Sequence, residues 1–150
     1  MGFKPGQLRG SAERVMTIVG PDQWRYTPHP TDPLTFIRPN GQIVALDFPF
    51  LTDLGSTPAF VRFRSRLSKG YYNIAYLFHD AQFKLREQNR LHLSHKQANL
   101  LCAEIITTLQ KKGYNGQLYK GGWLTTRVIY SGIASPFGKL AWKRAGLKAA

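Results

Sequence analysis

A chain of 150 residues, 43% hydrophobic and 13% aromatic, is long and apolar enough to bury one core, which excludes a disordered polymer. Its 21 Lys and Arg against 8 Asp and Glu give a formal net charge of +13. No apolar run approaches the roughly 18–20 residues of a membrane span, and the lone Cys102 excludes an internal disulfide framework and a Cys-based zinc site.

The charge is uneven. Five basic and five acidic residues lie between Met1 and Asp53, whereas sixteen basic and three acidic residues lie from Leu54 onward. A basic field of this size favours polyanions: nucleic acid, an anionic membrane or an acidic protein. The opening MGFKPGQLRG lacks the apolar stretch of a cleavable secretory signal and the Ser or Thr of a myristoylation site.

In chain order, residues 1–13 read as an irregular arm containing Pro5. RVMTIV (14–19) and QWRYT (23–27) read as strands around the Gly20-Pro21-Asp22 turn, and PHPTDP (28–33) is too rich in proline for anything but loop. LTFIR (34–38) and QIVALDF (42–48) flank Pro39-Asn40-Gly41, and Asn-Gly between alternating β-branched segments predicts a hairpin. PAFVRFRS (58–65) suggests a short helical turn opened by Pro58.

Helical periodicity dominates the rest. Residues 71–87 place apolar side chains at 74, 77, 78, 81 and 85, near a period of 3.6. Residues 94–112 begin with a capping box, Ser94 and Gln97, and end at Gly113, with Cys102 on the apolar face beside Leu101 and Ile105. A third helix covers about 122–134 and stops at Ser135-Pro136, and the tail FGKLAWKRAGLK suggests one more short helix. On that tail Lys139, Lys143 and Arg144 share a face, at i, i+4 and i+5, and with Lys148 they are the candidate polyanion contacts. The whole reads as an α+β domain over residues 14–150, a small N-terminal antiparallel hairpin sheet packed on three antiparallel helices.

The stretch YLFHDAQF (76–83) sets His79 and Asp80 inside an otherwise apolar helix. Burying a carboxylate costs several kcal/mol unless it is paired or binds a metal. The short link to the next helix predicts an antiparallel pair in which His79 and Asn99 meet. An imidazole held on its far nitrogen has a fixed tautomer and suits a general base. Asp80 points about 100° away and, with Asp53 of FLTDLGSTP (50–58) and nearby carbonyls, suits Ca2+ or Mg2+; with His79 included, the set suits Zn2+. The plainer readings are a core histidine and an Asp53 that caps a turn.

These stretches carry a resemblance. TDLGSTP, GYYNIAYLFHDAQF, SHKQAN and the later Arg127, Tyr130 and Phe137-Gly138 resemble, over roughly residues 45–140, an uncharacterised family common in tailed bacteriophages and prophages. Its pattern is a TDxxSxP loop, an Ala-x-x-x-His-Asp-x-x-Tyr helix, an Arg-x-x-Ala-Asp helix and a closing arginine-rich helix. Two positions depart from it: Phe83 stands at the tyrosine and Asn99 at the second aspartate. The His-Asp helix is also similar to that of A-type phospholipases, in which the histidine activates water and the aspartate binds calcium with an upstream loop.

The resemblance implies a phage or prophage origin and a location in the virion or the infected cell's cytoplasm, with other virion proteins or further copies of the chain as partners. Three functions follow as expectations. One is a virion or assembly-associated protein on a hydrolase-like scaffold whose catalysis is lost, since an amide at Asn99 lacks the charge to stabilise an imidazolium. The second is an active metal-assisted hydrolase, with His79 as base, Asn99 orienting it, and Asp53 and Asp80 holding a cation. The third is nucleic-acid binding through the basic C-terminal two-thirds.

Overall fold

The computed structural model describes residues 2–11, 16–20, 23–52, 72–90 and 93–148. Asp53, the TDLGSTP loop and the expected helical turn at 58–65 lie outside the described residues. The class is α+β, with antiparallel strands in the N-terminal third and helices after them.

The described strands form two small sheets where one was expected. β1 (Gln7–Arg9), β4 (Thr35–Ile37) and β5 (Ile43–Ala45) make one, in the order β1-β4-β5; β2 (Met16–Gly20), β3 (Gln23–Tyr26) and β6 (Phe50–Thr52) make the other, in the order β2-β3-β6. The Asn-Gly hairpin forms as predicted: β4 and β5 pair with Thr35 opposite Ala45, and Gly41 adopts φ 91°, which only glycine takes without strain.

β1 corrects the reading of residues 1–13 as an irregular arm. Gln7–Arg9 pairs with β4, the Gly6 N–H donates to Thr108 Oγ1 at 2.9 Å, and Lys112 Nζ donates to the Gly6 carbonyl at 2.8 Å. A three-residue strand has no periodicity to detect, and what fixes it is non-local: its strand partner β4 and the α2 side chains that bond Gly6. β6 escapes for the same reason: Phe50-Leu51-Thr52 has two alternations at most, and pairing with β3 is what defines it.

The described helices are α1 (Asn73–Glu87), α2 (His95–Lys111), α3 (Trp123–Ile133) and α4 (Pro136–Lys148), so the short helix suggested for the tail is a full fourth helix beside the expected three. Ser94 caps α2 by accepting from the Gln97 N–H at 3.1 Å. The other half of the capping box is absent, because the Gln97 side chain accepts from Arg38 instead. Pro136 occupies the first position of α4, where a missing N–H costs no hydrogen bond. Gly138 lets α4 start hard against the end of α3, since a Cβ there would overlap the Ile133 carbonyl oxygen.

α1 and α2 run antiparallel: Tyr72, at the start of α1, meets Gln110 near the end of α2, while His79 meets Asn99 nearer the other end. α4 packs on α1, α3 on α2, and β6 also touches α1. One apolar cluster joins the layers, with Tyr26, Leu34 and Phe36 from the strand region and Phe78, Ile105 and Ile129 from the helices. α1 is therefore buried almost all round, from Ala75 to Phe83, which places His79 and Asp80 in the interior.

Candidate functional site

Each polar side chain inside α1 and α2 must find a partner, because an unpaired buried polar group costs roughly 1–3 kcal/mol. His79, 2% exposed, does so across the helix seam, its Nε2 lying 2.9 Å from Asn99 Oδ1. With the amide oxygen accepting, the imidazole carries its proton on Nε2. Asn99 Nδ2 in turn donates to His95 Nε2 at 3.2 Å, one turn back along α2. That leaves the other nitrogen of His95 for its hydrogen bond to the Ile133 backbone. The result is a three-residue chain, His79–Asn99–His95, running from the core toward α3 and α4.

Aromatic rings wrap the chain. His79 sits edge-on to Phe83 at 5.2 Å, Phe83 edge-on to Trp142 at 5.1 Å, and Trp142 lies 5.3 Å from His95. Arg86 covers the other part of Trp142, its guanidinium 4.8 Å from the indole, and its Nε donates to the Trp142 carbonyl at 2.7 Å. Phe83, Ala98, Trp142 and Ala145 form a small second core that fixes α4 to the α1–α2 pair.

Burial pushes the His79 pKa down to about 4, against the opposing pull of the Asn99 hydrogen bond. His95 is lowered as well, first by burial and then by the Lys139 and Arg86 cations. Near neutral pH both rings are uncharged. A base whose pKa lies that far below the working pH takes up protons poorly, and a carboxylate in place of the Asn99 amide would raise it.

The structure brings His79 and Asn99 together and buries Asp80 on the adjacent part of α1, 7% exposed. Asp53 lies outside the described residues, so the expected pairing of the two aspartates around a cation is not seen. Among the described residues no group of three His, Cys, Asp or Glu side chains is arranged to hold a metal ion. Lys139, Lys143, Arg144 and Lys148 lie on exposed parts of α4; Lys139 is close enough to act on His95, and Lys148 Nζ lies 3.3 Å from Glu87. Among the described residues no helix is long and apolar enough to cross a membrane.

A second buried polar cluster was not anticipated. Arg38, at the end of the β4 hairpin strand, reaches Glu104 of α2 with a 2.6 Å Nε–Oε1 ion pair, and its Nη1 donates to Gln42 and Gln97. Burial raises the Glu104 pKa, and Arg38 pulls it back. The sequence signal was an arginine ending an apolar strand and a glutamate beside the apolar stripe of α2. A cleft of about 440 Å3 opens beside this pair, between Lys4, Asn40 and Gln97. Another, of about 520 Å3, lies between Gly2, Thr107, Gln110 and Trp123. Neither is lined by His79, Asp80 or Asn99.

No family model, no curated protein and no solved structure matches the chain.

Proposed function

We propose that this is a phage-encoded virion or assembly-associated protein that works through its surfaces, built on a hydrolase-like His/Asp helix pair that now serves as an internal latch. The observation that carries this reading is the state of His79: buried, neutral down to about pH 4, and bonded to an amide. The motif resemblance supplies the phage setting, and the substitutions at Phe83 and Asn99 fit a lost activity. The test is genetic and enzymatic together. A phage lacking the gene should yield defective particles, restored by the parent and by a folded His79→Gln variant. Equal restoration by both, with no His79-dependent turnover of ester, phosphodiester or phospholipid substrates, is the expected result. Restoration by the parent alone, with matched folding, would sink the reading.

The second reading is a metal-assisted hydrolase, in which His79 acts as base and Asp53 and Asp80 hold Ca2+, Mg2+ or Zn2+. Its support is the adjacency of two buried polar residues, His79 and Asp80, on one helix whose histidine is already oriented by Asn99. Stoichiometric cation binding lost in Asp80→Asn, with turnover lost in His79→Gln, would establish it over the first.

A further inference from the structure

The outward face of α4 has a composition that core packing does not explain. At 100° per residue, Phe137, Leu140, Arg144 and Leu147 fall within an arc of about 80°. The buried anchors Trp142 and Ala145 point in roughly the opposite direction. Phe137 is 75% exposed, Leu147 66% and Leu140 46%, so three large apolar side chains stand in solvent on one helix. Lys139 and Lys143 line one edge of this strip, Lys148 lies on the other, and Arg144 stands within it.

The surrounding charge is mostly of one sign, with Glu87 of α1 beside Lys148 as an exception. No Asp or Glu follows Glu104, while eight Lys or Arg side chains do. A second copy docking through the same face would bring cations against cations, with no carboxylate on α4 between them and Glu87 already held by Lys148. Nucleic acid would satisfy the cations yet leave the aliphatic Leu140 and Leu147 without a partner, since phosphates and sugars bind charge and stacking binds flat rings. An apolar strip with basic edges, an aromatic side chain (Phe137) within it and no acidic residue on α4 matches a surface that is anionic above and hydrocarbon below.

We propose that α4 is a peripheral membrane-docking helix that lies in the interface of an anionic lipid bilayer, Phe137, Leu140 and Leu147 entering the acyl boundary and Lys139, Lys143 and Arg144 holding the headgroups. The inference uses the surface of α4 alone and does not rest on the assembly reading.

The test is co-sedimentation of the full chain with vesicles of phosphatidylglycerol and phosphatidylcholine, against vesicles of phosphatidylcholine only. The parent binds the anionic vesicles and not the neutral ones. Phe137→Ser with Leu140→Ser and Leu147→Ser lowers the partition coefficient more than about tenfold. Lys139→Gln with Lys143→Gln and Arg144→Gln lowers it roughly a hundredfold, about fivefold per cation. All six side chains are exposed, so both variants keep the parent's thermal midpoint. Equal or absent binding to the two vesicle types overturns the proposal. So does a serine variant that binds as the parent does, which would reduce the face to ionic adsorption. Single-stranded DNA that binds more tightly than the vesicles and is indifferent to the serine substitutions would assign the face to nucleic acid instead.

Discussion

His79 Nε2 and Asn99 Oδ1 are 2.9 Å apart at the centre of the α1–α2 seam, and the same Asn99 amide bonds His95 on its other side. One amide thus fixes the tautomers of two imidazoles, which burial keeps neutral. A carboxylate could accept from both rings only if His95 also carried its proton toward it. A charge at residue 99 would therefore work against burial in setting the charge state of the two rings.

Asn99→Asp is expected to raise the His79 titration midpoint from about 4 by at least about one unit, because an opposite charge at hydrogen-bond distance favours the imidazolium. His95 should rise with it, turning its Nε2 from acceptor to donor. NMR titration of the two imidazole Cε1–H signals reads both. Midpoints that stay where they are in Asn99→Asp would show that the seam does not hold the geometry described.

The depressed His79 pKa also predicts an acid-sensitive fold. The unfolded chain binds a proton to His79 below about 6.5, whereas the folded chain resists until about 4. Stability from this group is complete above the higher value and is lost as pH falls through that window, by about 2 kcal/mol between about pH 8 and about pH 5. His95, lowered too, adds a loss of the same sign. Glu104, raised by burial, works oppositely above its unfolded value. Urea midpoints across this range should fall with acid in the parent and fall less in His79→Gln.

The sequence made the helices, the Asn-Gly hairpin and the His79–Asn99 encounter legible, and the reasons are local. Periodicity in 71–87 and 94–112 identifies apolar faces, and a short link between them forces an antiparallel pair. What escaped was non-local. β1 and β6 are three-residue strands defined by their partners, and the Arg38–Glu104 pair joins positions 66 apart in the chain. His95 escaped for a different reason. It carries no periodic or motif signal of its own, and its i, i+4 relation to Asn99 on α2 was the available one.

Trp142 ties α4 to the rest of the molecule, so its truncation should loosen that helix in particular. It is 7% exposed and contacts Phe83, His95 and Arg86. Trp142→Ala is expected to cost about 3–5 kcal/mol, since the surrounding side chains refill such a cavity only in part. Chemical denaturation gives the magnitude, and hydrogen exchange should show lost protection concentrated in α4. Protection lost evenly across α1 and α2 would contradict a local anchoring role.

The Arg38–Glu104 pair separates two meanings of a buried ion pair, the cost of breaking it and the net worth of having it. Both side chains are almost fully buried, at 1% and 7% exposure, and the pair bridges the β4–β5 hairpin to α2. Glu104→Ala leaves the guanidinium without its carboxylate in a low-dielectric site, where only Gln42 and Gln97 remain to it. The expected loss is about 3–5 kcal/mol. Replacing both residues by apolar ones, Arg38→Met with Glu104→Leu, removes the desolvation penalty along with the attraction and should come within roughly 1–2 kcal/mol of the parent. Urea denaturation of Arg38→Met, Glu104→Leu and the double variant closes the cycle. A double variant as unstable as the singles would mean that the hydrogen bonds to Gln42 and Gln97, rather than the ion pair, hold the hairpin on α2.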